Sequence, residues 1–365
     1  MATKTTGTSN EFIVHPGEII ADVLVERGMT QADLAKRTGF SQAYVSCVVS
    51  GKKPISARFA MALEYAVNVP KSFWLNLQAN YDAKILEAEE AQTVSEKEKA
   101  VYAELKEIVK FLKKAGKLED GKGTVETILS LRKILQVSCL NCLPDLAPAG
   151  LFRISSKAQV NMSVLGAWLQ LCQTQRSLVA VNTVFAADKI EGLISAIKGV
   201  MMDRNADPQV QLPSILAQYG IDFQVVHNFK GAPVHGFICR RNDGVYQISL
   251  TIRGAFADIF WFSLFHELGH LVNGDTGKAS CFIDVSCDPS TGAEEAADSF
   301  ASNALLAPAA YKAFVDAGDF SYPQILEFAN TQRVPDYIVI GRLQKEGLVP
   351  YNHFADHKLR YKWSI

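Results

Sequence analysis

The sequence predicts a mainly α chain with a small antiparallel β-sheet, an α+β fold, and three observations carry that expectation. Apolar residues recur at helical spacing through most of the 365 residues. One stretch, from Ile221 to Arg253, changes to strand-like runs with a turn signal, Asn242-Asp243-Gly244, between the last two. A highly charged stretch separates two more apolar regions, and at about 150 residues per domain the length allows two or three.

Composition sets further bounds. With 48% hydrophobic and 21% charged residues the chain has the means to build a core, which excludes wholesale disorder. A formal net charge of -1 excludes nucleic-acid binding through bulk electrostatics and leaves only a local patch for it. The 7 cysteines, an odd number without regular spacing, imply no disulfide framework. No apolar run reaches the roughly 18 residues of a membrane span, and Met1 to Phe12 is polar, so a cytoplasmic protein is expected.

The first region, His15 to Asp82, reads as five short helices with Gly28, Gly39, Gly51 and Pro70 as stops. Thr30 is a good N-cap for Gln31 to Arg37, and Ser41 caps a second helix from Gln42 to about Val49. The short turn at Gly39 between them gives helix-turn-helix spacing, with small Ala35 allowing close approach of the second helix. The HPGE opening, TQADLA, the VSxxxSGKKPIS stretch and the FWLNLQANYD ending together resemble the Xre-type helix-turn-helix family, and its HigA-type antitoxin branch more closely. That resemblance implies a DNA-binding domain over 1–82. In it Gln31, Ser41, Gln42, Tyr44 and Ser46 would lie toward a double-stranded operator, with Lys52 and Lys53 near phosphates. Residues 1–80 carry eight Lys or Arg against six Asp or Glu, a modest basic footprint. A module of this size reads one half-site, so a homodimer is expected.

Next comes a charged helical linker, 83–124. Its second half carries Val101, Leu105, Ile108, Val109 and Leu112 near helical spacing, the pattern of an amphipathic connecting helix. The last domain, 125–365, opens with helices. Leu165, Trp168, Leu169 and Cys172 share one face, and Leu193, Ile194, Ile197 and Val200 another. The strand runs follow, and helical patterning resumes at Phe256 and at Glu294.

The sharpest signal lies in FWFSLFHELGHLV. His266 and His270, at i and i+4, project from one helical face and can fill two sites of a tetrahedral Zn2+. Glu267 is placed to take a proton from a water activated by the metal, and Gly269 leaves room for another element. A third ligand is expected downstream, where Glu294 and Asp298 lie one helical turn apart while Ala297, Ala301 and Leu305 pack. Glu295 is the alternative, with Ser299 four residues on in place of a carboxylate. The ExxxD pair is similar to that of gluzincin-type peptidases, which implies Glu294 as ligand and Asp298 as the carboxylate orienting a ligand histidine.

The FxxxHELGH helix, the downstream ExxAxxFAxxxLLAP helix, the small sheet before them and GxLQKEGLVPYN near the end resemble the ImmA/IrrE family of metallopeptidases over Leu140 to Leu348. Ala307 stands where that pattern often has Met. The resemblance implies a zincin-like domain with a zinc endopeptidase activity that cleaves or controls a regulatory protein: a repressor, a toxin or the chain itself. The competing expectation is an antitoxin or repressor whose zinc domain is a sensor or partner-binding module without turnover.

Weaker candidates complete the reading. Cys139 and Cys142 form a lone CxxC, read as structural thiols, and Cys281 or Cys287 could approach the metal. His235, Tyr311, His353 and His357 are candidates for stabilising an oxyanion, the last two lying in a tail expected to be exposed and basic. The strand Val245 to Leu250, if its edge is open, could take up an extended peptide.

Overall fold

The computed structural model describes residues 14–147, 160–175, 177–203, 205–275, 281–285 and 292–363. The chain forms two compact units, Met1–Ser95 and Glu96–Ile365.

The first unit is all helical: α1 (Pro16–Glu26), α2 (Gln31–Thr38), α3 (Gln42–Val49), α4 (Ala57–Val67) and α5 (Lys71–Thr93). The caps stand where the sequence places them. Thr30 accepts from the Asp33 amide at 3.1 Å while Asp33 accepts from the Thr30 amide at 3.2 Å, a reciprocal capping box. Ser41 accepts from the Tyr44 amide at 3.2 Å. Four helices are short, but α5 runs for 23 residues, because neither Gly nor Pro follows Pro70 to stop it. Leu34, Val45, Val48, Phe59, Leu63 and Trp74 are wholly buried, each contributing about 1.5–3 kcal/mol.

The second unit begins inside the charged stretch. It holds α6 (Glu96–Glu104), α7 (Lys106–Lys114), α8 (Thr124–Leu135), α9 (Leu143–Leu146), α10 (Met162–Thr174), α11 (Ile190–Met202) and α12 (Pro208–Ala217). The expected connecting helix is thus two helices, broken at Leu105, and Val101, Leu105, Ile108, Val109 and Leu112 are all buried. Part of its charge is buried too. Glu98 accepts from Arg132 Nε at 2.9 Å and Nη2 at 2.7 Å and from the Leu140 amide at 2.9 Å.

The sheet comprises β1 (Ile221–Val225), β2 (Val234–Arg240), β3 (Tyr246–Leu250) and β4 (Cys281–Val285) in the order β1-β3-β2-β4. The β2–β3 hairpin forms as expected, with Gly244 at φ 85° in its turn. The sheet as a whole is mixed, and this corrects the antiparallel expectation: β1 runs parallel to β3. Because β3 inserts between β1 and β2, two reversals of direction separate the neighbours β1 and β3. Periodicity reveals strands and is silent on their order. β3 is therefore interior, paired on both sides, and offers no open edge to a peptide.

Helices α13 (Ala257–Val272), α14 (Gly292–Leu305), α15 (Pro308–Ala317), α16 (Tyr322–Gln332) and α17 (Asp336–Lys345) complete the unit. α13 lies at the heart of the core, with Phe260, Trp261, Leu264, Phe265 and Leu268 clustered with Ile238, Ile248 and Leu250 of the sheet and Ile340 and Leu343 of α17. A Cβ on Gly269 would stand 2.9 Å from Ala297 Cα, so the glycine is what lets α14 lie against α13. The C-terminal tail is largely exposed, as expected, His353 and His357 included, but it is tied to the body of the unit by hydrogen bonds. Leu359 O accepts from the Ala257 amide at 3.0 Å, Ala255 O from the Tyr361 amide at 2.7 Å, and Lys358 pairs with Asp258 at 2.7 Å. The tail thereby straps the start of α13. Among the described residues no helix is long and apolar enough to cross a membrane.

Candidate metal centre and helix-turn-helix face

α13 and α14 bring three side chains to one point. His266 Nε2 lies 3.1 Å from His270 Nε2 and 3.2 Å from Glu294 Oε2, and His270 Nε2 lies 3.5 Å from Glu294 Oε1. Bonds of about 2.0–2.1 Å from a tetrahedral Zn2+ place its ligand atoms roughly 3.3 Å apart, so the cluster has the dimensions of three corners of a tetrahedral coordination shell. Among the described residues these three are the group of metal-ligating side chains that could hold an ion.

The far side of each imidazole is also fixed. His266 Nδ1 donates to Asp298 Oδ1 at 2.9 Å, and His270 Nδ1 donates to Asp275 Oδ2 at 3.0 Å. With the protons held on Nδ1, both Nε2 atoms of the neutral imidazoles face the same point, where positive charge, a proton or a metal ion, would be favoured. The electrostatics agree. Burial acts to raise the Glu294 carboxyl, yet hydrogen bonds to His266 and His270 bring it down to about 2. Burial also opposes charge on His270, and Glu294, Glu267 and Asp275 outweigh it and push the imidazole up. Asp298, despite burial, is held low by His266.

The positions expected from the sequence, His266, His270, Glu294 and Asp298, therefore converge. Asp275 was missed: it follows α13 in a turn, five residues after His270, where no helical-face rule applies. Glu267 is fully buried against β2, and a Cβ on Gly236 would fall 2.1 Å from its Oε1. That glycine sits where the β2–β4 register slips, beside His235. His235 itself lines a cleft of about 570 Å³ together with His266, Glu294 and Asp298, and Arg253 Nη1 lies 3.0 Å from its Nε2. The other oxyanion candidates are engaged elsewhere. Tyr311 donates to Glu346 at 2.7 Å, and burial together with that contact pushes its phenol up. His357 stacks on Tyr322 at 3.9 Å, and His353 packs against Phe354. Cys139 and Cys142 are free thiols, with Cys142 Sγ donating to Cys139 O at 2.9 Å. Cys287 and the Cys281 side chain lie outside the described residues.

In the first unit, the HPGE opening has a direct physical reason. His15 Nδ1 accepts from the Gly17 amide at 2.9 Å, Pro16 begins α1, and a Cβ on Gly17 would meet Val48 O at 2.3 Å. α1 thus crosses the end of α3 at backbone contact and fixes its direction. Ser41, Gln42, Ser46, Lys52 and Lys53 are exposed on and after α3, and Gln31 is half-buried at the start of α2. Tyr44 is half-buried, packed against Phe40 and Phe59 with its hydroxyl 3.2 Å from Ser56 Oγ, so its ring braces α3 against α4. Arg58, not singled out from the sequence, adds an exposed cation five residues after Lys53, above the Phe40 ring.

The comparisons concern this unit. The helix-turn-helix family HTH_3 matches residues 20–74. Virulence-associated protein A′ of Dichelobacter nodosus is 39% identical over 69 residues, 19% of this chain and 60% of that protein. The chain thus spans less than two thirds of that relative. An addiction module antidote protein of the HigA family from Coxiella burnetii is 30% identical, with 23% of this chain and 92% of that one covered at a TM-score of 0.22. The Pseudomonas aeruginosa antitoxin HigA, solved with the higBA promoter, gives the same identity, coverages and score. These likenesses reach less than a quarter of the chain. The first unit of this chain is a helix-turn-helix module.

Proposed function

We propose that this chain is a DNA-binding transcriptional regulator whose second unit is a zinc-dependent endopeptidase acting on a regulatory protein. The observation that carries the catalytic half is the convergence of His266, His270 and Glu294, with Asp298 and Asp275 holding both imidazoles in the ligating tautomer. Three protein ligands with one side facing a cleft is the pattern of a catalytic site; structural zinc sites close with four. A zinc ion held there would supply Lewis acidity toward a peptide carbonyl and lower the pKa of water. Glu267 would take the proton from that water and deliver it to the leaving amine. Its seat against Gly236 in the core leaves the carboxylate little freedom to turn away. His235, on the cleft wall, would donate to the developing oxyanion.

The helix-turn-helix module supports the regulatory half. Its family match, the exposed Ser41, Gln42 and Ser46 of α3 and the nearby Lys52 and Lys53 suit an operator, and a homodimer would read two half-sites. A second reading, a zinc-holding sensor without turnover, draws on one observation: Glu267 is wholly buried and is not among the residues lining the cleft. Glu267→Gln separates the two. The variant should hold zinc and bind DNA as before, and an intact regulatory protein should accumulate in cells carrying it. Unchanged regulation and no accumulating target would leave the sensor reading in place.

A further inference from the structure

The cleft beside the metal centre has a chemistry of its own. His266, Glu294 and Asp298 form one end, and Ile259, Phe262, Leu305, Leu306 and Ile338 supply apolar walls. Its volume of about 570 Å³ lies within the range of ligand pockets, roughly 300–1,000 Å³. An apolar space of that size opening on a metal centre suits a large side chain adjoining the bond to be cut.

Charge decides what surrounds that side chain. Three cations and four carboxylates, Asp258, Glu294, Asp298 and Glu346, line the cleft; Glu294 and Asp298 turn to the histidines, and two of the cations are committed. Lys358 pairs with Asp258 at 2.7 Å and donates to Gln344 Oε1 at 3.1 Å. Arg342 donates to Glu346 at 2.9 Å and to Ser302 O at 3.2 Å and lies 3.8 Å over the Tyr311 ring. Lys345 differs: its side chain is 65% exposed, its contact with Asp298 is a distant 4.0 Å, and its ammonium rests 4.5 Å from the Phe262 ring centroid. Asp298 is itself turned to His266. Lys345 therefore presents donors at the mouth, directly beside an apolar wall.

We infer that the cleft receives a bulky apolar side chain of an extended peptide and that Lys345 meets a carboxylate on the residue next to it. This substrate class rests on the peptidase reading above. A small side chain leaves the walls unfilled, and a basic neighbour is repelled by Lys345.

The test is peptide binding to the zinc-loaded Glu267→Gln protein, read by calorimetry. The panel varies one residue between Phe, Leu and Ala and its neighbour between Glu, Gln and Lys. Phe or Leu should bind about 10- to 100-fold more tightly than Ala, and Glu more tightly than Lys. Adding Ser302→Phe, which fills the cleft, should bring the Phe-to-Ala ratio near one. Adding Lys345→Glu should invert the order of Glu and Lys, with zinc content and circular dichroism recorded for each variant. The panel on Glu267→Gln alone already decides the matter should either addition fail to fold. Equal affinity across the panel overturns the inference while leaving the peptidase reading standing if the native protein cleaves these peptides. No binding at all with zinc held overturns both.

Discussion

Asp275→Asn offers a quantitative probe of the metal centre, because it alters a group that touches no substrate and lies behind a ligand. In the native chain Asp275 is buried, and the His270 side chain to which it bonds is 2% exposed. Asparagine can still accept from Nδ1, but without charge, so the imidazole becomes a weaker base toward an ion at Nε2. Loss of such an orienting carboxylate costs about 10- to 100-fold in metal affinity, roughly 1.4–2.8 kcal/mol. Burial places Asp275→Asn toward the upper end, since little water can replace the lost interaction. Asp298, whose side chain is 35% exposed, is the internal control: water can partly stand in for it, so Asp298→Asn should cost less. The assay is a zinc competition titration against a chromophoric chelator at neutral pH, with circular dichroism confirming the fold. Native affinity in Asp275→Asn, or a larger loss in Asp298→Asn than in Asp275→Asn, would refute the argument that burial of these carboxylates sets the strength of the site.

Three further outcomes are expected. Gly236→Ala would drive a methyl against Glu267 Oε1, so peptide cleavage should fall by at least about 100-fold while zinc content stays near native; full activity would show that Glu267 works from another position. Glu98→Gln breaks the buried pair with Arg132 and should destabilise the second unit by about 3–5 kcal/mol at pH 7, measured in urea. Burial acts to raise the Glu98 carboxyl, but Arg132 and the Leu140 amide hold it below the ordinary value. Its contribution is therefore present in full above about pH 4.3 and is lost as pH falls through the lower folded value, so the gap between native and variant should close on acidification; a gap equally wide at pH 3 would contradict the assignment. In the first unit, Lys52→Ala and Lys53→Ala should each lower the salt dependence of binding to the chain's own promoter by about 0.9 in log–log slope, whereas Gln42→Ala should cost about 1–3 kcal/mol on the cognate site alone. Slopes unchanged in both lysine variants would place the phosphate contacts elsewhere.

What the sequence made legible is what a single element's geometry controls. His266 and His270 share a face because an i, i+4 spacing fixes it, and the same rule placed Glu294 and Asp298 on α14 before their partners were known. Thr30, Ser41 and the turn at Gly244 were legible because caps and tight turns are local chemistry. The parts that escaped are set by tertiary packing. The order β1-β3-β2-β4 depends on where β3 inserts, which alternation of apolar residues does not encode. Tyr44 sits on a helix face that looks open in α3 alone and is covered once α4 packs. Asp275 reaches His270 only because the chain turns back after α13.

The glycines carry a signal of another kind. Gly17, Gly236 and Gly269 lie within helices or strands at ordinary negative φ, so conformational freedom does not explain them, and a glycine there weakens its element by roughly 0.5–1 kcal/mol relative to alanine. Each one marks a place where another part of its own unit comes too near for a methyl: α3 backbone at Gly17, the Glu267 carboxylate at Gly236, α14 backbone at Gly269. Two of the three border α13, one where Glu267 meets β2 and one where α14 delivers Glu294. Gly236 and Gly269 thus cost the second unit some intrinsic stability at the two places where its candidate base and its carboxylate ligand approach the two histidines.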